Sequence, residues 1–165
     1  MPKILIVDDD AALSAWLAAI LTDAGYAIET LADGEGVSRL LALGVVDLAL
    51  IDYHLPGQSG LEVVRHLRAM RNSTPVVMLT ADGSQQVAVE AFRAGAADFI
   101  AKPVDPDYLK IIVARTLATH SKTLKDTAFR ALGYMRHKEP CAFLRDGTTC
   151  SCGLKDVFED IQAYT

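Results

Sequence analysis

The 165-residue chain predicts an α/β fold, a doubly wound five-stranded parallel sheet with helices on both faces, followed by a small C-terminal extension of helix, hairpin and helix. Three observations predict it. Short runs rich in branched apolar residues recur through the first two-thirds of the chain, and such near-continuous runs suit strands covered on both faces. Stretches with helical periodicity separate them. The strict alternation of the two then requires right-handed crossovers and a parallel sheet.

Residues 3–8 (KILIVD) read as the first strand. The first helix spans 11–23, with Leu13, Leu17, Ile20 and Leu21 on one stripe, Asp10 placed as its N-cap and Gly25 as its stop. A weaker strand over 27–31 and a helix over 34–43 follow. The third strand, 46–52 (VDLALID), leads to a helix over 59–71 that carries Leu61, Val64 and Leu67 on one face. The fourth strand is 75–80 (PVVMLT), the fourth helix 84–94 and the fifth strand 98–102. A fifth helix begins near Asp105. With no glycine or proline between Pro106 and Gly133 it extends as a stalk, its far half marked by Lys122, Lys125, Arg130, Arg136 and Lys138.

The pattern divides the chain into a first domain over 1–120 and an extension over 121–165. In the extension, Asp146-Gly147 is a two-residue hairpin signal within about 141–152. A turn centred there pairs Phe143 with Cys150 and Cys141 with Cys152. Leu154, Val157, Phe158 and Ile161 then give the spacing of an amphipathic helix over about 154–163, which needs a surface on which to bury its stripe.

Composition excludes several classes. Apolar residues make up 51% and charged residues 22%, an ordinary globular mixture that argues against disorder and against a fibrous protein. No apolar run approaches the roughly 20 residues that span a bilayer, and acids arrive within the first ten residues, unlike a signal peptide. The expected location is the cytoplasm, with no membrane partner. The formal charge of −5 is uneven: acids outnumber bases two to one over 1–105, whereas bases exceed acids over 106–165. The basic residues of the stalk are interrupted by Asp126 and by apolar side chains, which reads as a solvated helix face, and DNA binding is not expected.

The chemistry-bearing side chains cluster at one kind of position. Asp8 and Asp9 close the first strand, Asp52 the third, Thr80 the fourth and Lys102 the fifth. In an open parallel sheet the carboxyl ends of the strands line the ligand crevice, so these residues converge although they are far apart in sequence. Three carboxylates in one place repel one another and call for a hard cation such as Mg2+, with Lys102 offsetting part of the remaining charge. Beside such a cation an aspartate carboxylate can act as nucleophile toward phosphorus, and Asp52 is the central candidate. Thr80 offers a hydroxyl, and Lys102 a cation, to phosphoryl oxygens.

The segments LIVDDD, LIDYHLPGQSGLE, VVMLTA and DFIAKP resemble the four signatures of response-regulator receiver domains, over roughly 1–120. The resemblance implies a flavodoxin-like strand order 2-1-3-4-5 and a two-component signalling protein rather than an enzyme. It implies that Asp52 accepts a phosphoryl group from a histidine kinase or histidine phosphotransfer protein. Asp9, Asp52 and the His54 carbonyl would bind Mg2+ directly, Asp8 through water, and Lys102 would hold the phosphoryl group. Thr80 would be the switch hydroxyl and Phe99 the switch aromatic. The face of the fourth helix, fifth strand and fifth helix would report the change to an unknown downstream protein or to a second copy. Homodimerisation through the C-terminal extension is the other route. Lys102-Pro103 would be cis, and Asp82 would border the site. His54 departs from the more neutral residue usual at its position.

Two further classes stay open. An aspartyl-phosphate phosphohydrolase would also use Asp, Thr and Lys, but such enzymes usually place a second acid where this chain has His54. A metal- or redox-responsive binding module would use the three cysteines. His137, Cys141, Cys150 and Cys152 compose a conceivable Zn2+ site, Cys141 and Cys152 a conceivable disulfide, and inert thiols are the third reading.

Overall fold

The computed structural model describes residues 1–42 and 44–134. The hairpin about 141–152, the helix about 154–163 and the His137, Cys141, Cys150 and Cys152 group lie outside the described residues. Residues 1–122 form one compact unit. The elements of the described residues are β1 Lys3–Val7, α1 Ala11–Asp23, β2 Ala27–Leu31, α2 Val37–Ala42, β3 Leu48–Asp52, α3 Gly60–Ala69, β4 Val76–Thr80, α4 Gln85–Ala94, β5 Asp98–Ala101 and α5 Pro106–Tyr134. The strands are all parallel, in the order β2-β1-β3-β4-β5. The predicted doubly wound parallel sheet and its strand order hold.

The inner strands β1, β3 and β4 are apolar along most of their length because both faces are covered, whereas the edge strand β2 carries Glu29 and Thr30. Leu5, Val7, Ala49, Ile51, Val76 and Met78 face one way, into a core completed by Val37 and Leu41 of α2, Leu61, Val64 and Leu67 of α3, and Ala91 and Ala94 of α4. Their neighbours Ile4, Ile6, Leu48, Leu50, Val77 and Leu79 face the other way, onto Leu17 and Leu21 of α1 and Leu109, Ile112 and Val113 of α5. Each such side chain taken fully from water contributes about 1.5–3 kcal/mol before the entropy of ordering it. Helices α1 and α5 therefore cover one face, and α2, α3 and α4 the other.

Local chemistry ends the helices where the fold needs them to end. The Asp10 carboxylate caps α1 by accepting from the amides of Ala12 and Leu13 at 2.9 and 3.0 Å. Gly25, at φ +89°, closes the helix in the left-handed conformation while the Tyr26 amide returns to the Leu21 carbonyl at 3.0 Å. Leu17 and Leu21 are buried, but Leu13 and Ile20 only partly so, and Ser14 takes an inward place beside them. From Ala11 to Thr22 the helix carries no charged residue, and the half-exposed Trp16 lies on its outer side. Ser59 and Glu62 form a reciprocal cap at the start of α3.

Helix α2 starts at Val37, three residues later than the pattern predicts. The cause is local: the Asp33 carboxylate accepts from the Glu35 amide at 3.0 Å, a turn that competes with helix, and two glycines follow it. Helix α3 also stops two residues early, at Ala69, where Arg71 adopts φ +57°.

Arg68 of α3 ties together the end of the sheet remote from the strand carboxyl termini. Its Nε donates to the Gly95 carbonyl at 3.1 Å, Nη1 to that of Asn72 at 2.6 Å and Nη2 to that of Thr74 at 3.0 Å. Partial burial pushes the guanidinium below the usual arginine value, and its planar fork serves three diverging carbonyls. Arg68→Ala is expected to lower stability by about 1–3 kcal/mol. Arg68→Lys should recover only part of that, since a single ammonium cannot reach three divergent carbonyls. A urea midpoint that falls with an unchanged slope is the expected result; an unchanged midpoint would remove this role.

Candidate functional site

Four strand ends meet in one crevice. Asp8 and Asp9 follow β1, Asp52 is the last residue of β3, Thr80 the last of β4, and Lys102 follows β5. The ladder sets their level, because β4 and β5 pair in the register that puts Thr80 opposite Ala101, and the Lys102 amide donates to the Thr80 carbonyl at 2.7 Å. The Lys102-Pro103 peptide is cis.

Asp8 and Asp52 are buried, at 2% and 5% exposure, while Asp9 is exposed at the mouth. One oxygen from each of the three carboxylates lies within 4.8 Å of the others. Lys102 Nζ reaches Asp8 Oδ2 at 2.8 Å and Asp52 Oδ1 at 2.7 Å. The second oxygens are also held: Asp8 Oδ1 accepts from the Asp10 amide at 2.9 Å, and Asp52 Oδ2 from the His54 amide at 3.1 Å. Burial pulls the Lys102 ammonium down, but the hydrogen bonds and charges of Asp52 and Asp8 outweigh it and hold it above the ordinary lysine value. Three carboxylates thus face one ammonium. The donor set is all oxygen, hard and partly open to water, which fits Mg2+.

The remaining predicted residues surround this centre without all touching it. Thr80 is buried, and its hydroxyl is turned into the following loop, donating to the Asp82 carbonyl and accepting from the Asp82 amide, both at 3.1 Å. Asp82 itself is exposed, and its carboxylate accepts from the Ser84 amide at 2.9 Å. Phe99 is partly buried, packed on the core and set edge-on to Phe92 of α4 with ring centroids 6.0 Å apart. His54 is exposed, edge-on to the Tyr53 ring at 4.9 Å.

Three neighbours escaped sequence reasoning. Gly60 opens α3 so close to β3 that a Cβ there would lie 2.1 Å from the Asp52 carbonyl oxygen. A glycine at the first position of a helix, just after the loop that follows Asp52, is the signal that marks it. Ser14 Oγ reaches back to the Asp8 carbonyl at 3.4 Å, and its place in an otherwise apolar stripe is the only clue. Tyr53, beside Asp52, sends its hydroxyl to Glu90 Oε2 of α4 at 3.3 Å. Partial burial, then Glu90, raises the phenol above its usual value, so it remains a proton donor. No sequence pattern announces that contact.

A doubly wound sheet with paired acids after its first strand, an aspartate at its third and a lysine after its fifth defines the class of phosphoryl-accepting receiver modules. The comparisons with known proteins agree. The model of the response regulator receiver domain matches residues 4–114, and the chain belongs to that family. The two-component response regulator PhoP of Pseudomonas aeruginosa is 35% identical over 125 residues, covering 76% of this chain and 56% of that protein. The transcriptional regulatory protein TcrA of Mycobacterium tuberculosis is 38% identical over 107 residues, covering 65% of this chain and 42% of that one. The chain therefore spans about half the length of these curated relatives. Among solved structures, the CheY-like receiver domain protein of Methanospirillum hungatei superposes with a TM-score of 0.68 at 32% identity, covering 74% of this chain and 98% of that one.

The chain is thus a response regulator receiver domain of two-component signal transduction, a family of signalling modules whose members work with histidine kinases. Receiver domains bind Mg2+ at an acidic pocket, and the Asp8, Asp9 and Asp52 cluster is the acidic pocket of this chain. Among the described residues no helix is long and apolar enough to cross a membrane.

Proposed function

We propose that this chain accepts a phosphoryl group on Asp52, in a Mg2+-dependent reaction with a histidine kinase or histidine phosphotransfer protein, and signals through its α4–β5–α5 face. The observation that carries the reading is the convergence of Asp8, Asp9 and Asp52 oxygens within 4.8 Å, with Lys102 bridging the two buried carboxylates. A carboxylate oxygen of Asp52 forms the new bond to phosphorus as the donor's P–N bond breaks and its electron pair returns to the imidazole of the donor. Asp9, Asp52 and the His54 carbonyl would hold Mg2+, with Asp8 acting through water, and the ion would supply charge neutralisation for the phosphoryl oxygens.

Lys102 then exchanges its pair with Asp52 for one with a phosphoryl oxygen. Thr80 leaves its two bonds to Asp82 to donate to another, and Phe99 turns from Phe92 into the space behind Thr80. No turnover of phosphomonoesters is expected, because the chain accepts and holds the group. We place its action in the cytoplasm, with 1–120 as the receiver and 121–165 as an extension serving output or self-association.

Beryllium fluoride with Mg2+, or a small phosphodonor, tests the reading. One equivalent of adduct should form on the wild-type protein, none on Asp52→Asn and none in EDTA. An adduct of equal yield on Asp52→Asn would overturn the assignment.

A further inference from the structure

We propose that the hydrogen bond from Tyr53 to Glu90 is a latch that holds α4 in its unphosphorylated position, making Tyr53 a positioning residue for phosphoryl acceptance at Asp52. Tyr53 adjoins Asp52 at the end of β3, and its amide is fixed to the Leu79 carbonyl at 2.8 Å, so its backbone is anchored to the sheet. Its hydroxyl crosses to Glu90 in the second turn of α4, at 3.3 Å. The donor end of the bond is therefore fixed beside the acceptor carboxylate, and the other end rides on the helix.

A second chain of hydrogen bonds connects the site to the same helix. Thr80 is bonded at 3.1 Å to both the amide and the carbonyl of Asp82, the Asp82 carboxylate accepts from the Ser84 amide at 2.9 Å, and the Ser84 hydroxyl caps α4 by accepting from Val87 at 3.4 Å. Glu90 lies one turn beyond Val87. When Thr80 turns toward a phosphoryl oxygen it gives up both bonds to Asp82, and the loop that caps α4 must rearrange. Any resulting displacement of α4 along or away from the sheet stretches a Tyr53–Glu90 contact already longer than the usual O–H···O distance. The bond thus favours the conformer in which Thr80 faces Asp82, and it opposes loading of Asp52 by a population effect.

The latch rests on the reading of Asp52 as phosphoacceptor, and the experiment separates the two. Beryllium fluoride affinity is measured in saturating Mg2+ for the wild type, Tyr53→Phe, Glu90→Ala and the double variant, with a thermal melt of each without ligand. The expected result is a roughly two- to tenfold tighter affinity for each single variant, the range of one net hydrogen bond, with no further gain in the double variant. Residues that merely stabilise the fold would melt earlier without tightening the ligand. Unchanged or weaker affinity in Tyr53→Phe and Glu90→Ala, with the wild type binding normally, would overturn the latch and leave the phosphoacceptor reading intact. Failure of the wild type to bind would remove both.

Discussion

Replacing Lys102 with methionine is expected to cost about 3–5 kcal/mol in metal-free buffer, the largest single loss available in the crevice. Asp8 and Asp52 lie almost wholly out of water, and among the described residues Lys102 Nζ is the cation bonded to both, at 2.8 and 2.7 Å. Methionine keeps the length of the side chain and removes the charge, leaving two buried carboxylates to face each other and the nearby Asp9. Saturating Mg2+ should return part of the loss, so added Mg2+ raises the denaturation midpoint of Lys102→Met more than that of the wild type.

The pH dependence of that difference has a definite sign. Lys102 has a raised value in the folded chain, so its stabilisation is fully present below the ordinary lysine value of about 10.4 and is lost as pH rises through the raised one. The gap between wild type and Lys102→Met should therefore be flat across neutral pH and close only in strong alkali. Equal urea midpoints for the two proteins in EDTA at pH 7 would show that the carboxylates do not depend on this lysine.

Gly60→Ala is the second large effect. The added Cβ would stand 2.1 Å from the Asp52 carbonyl oxygen and 3.0 Å from Met78 Cε. The oxygen belongs to backbone locked in the sheet, so α3 or the end of β3 must shift. Overpacking of this kind costs about 1–3 kcal/mol or more, and here the strain falls on Asp52, the proposed acceptor. Both the melting temperature and the yield of beryllium fluoride adduct should drop. Gly57→Ala is the control: its φ is +80° but a Cβ there meets nothing within 4 Å, so it should lose stability modestly and keep the adduct. Matching adduct yields for Gly60→Ala and wild type would remove the steric argument.

Much of this architecture was legible in the amino-acid pattern, for identifiable reasons. Strand β2 and helix α1 span the predicted residues because turn and capping chemistry, Asp10 on one side and Gly25 on the other, brackets them locally. Strands β1, β3, β4 and β5 are one or two residues shorter than predicted, because the end positions Asp8, Val46, Asp47, Pro75 and Lys102 lie outside the ladder. The convergence of Asp8, Asp9, Asp52 and Lys102 could be foreseen because each closes a strand of a parallel sheet, where topology does the aligning. The conformations of Thr80 and Phe99 could not, because a side chain's choice between two neighbours leaves no periodic trace.

Long-range polar contacts were hidden for a related reason. Arg68 sits on a helix whose sequence pattern shows only its apolar face, yet it reaches carbonyls that precede β4 and follow α4. Tyr53 and Glu90 are 37 residues apart and belong to no motif. Gly60 resembles many turn glycines until the Asp52 carbonyl is placed against it. In each case the deciding quantity is a distance between separate elements.

Trp16 gives the molecule an optical property that follows from its position. It is the only tryptophan in the chain, and it stands 41% exposed on the uncharged outer side of α1. Fluorescence excited at the red edge of the protein absorption band therefore originates wholly from residues 1–122, with the cysteine-bearing extension spectroscopically silent. A denaturation curve recorded at that wavelength isolates the receiver, and its difference from a whole-chain signal such as far-ultraviolet dichroism measures what the rest of the polypeptide adds.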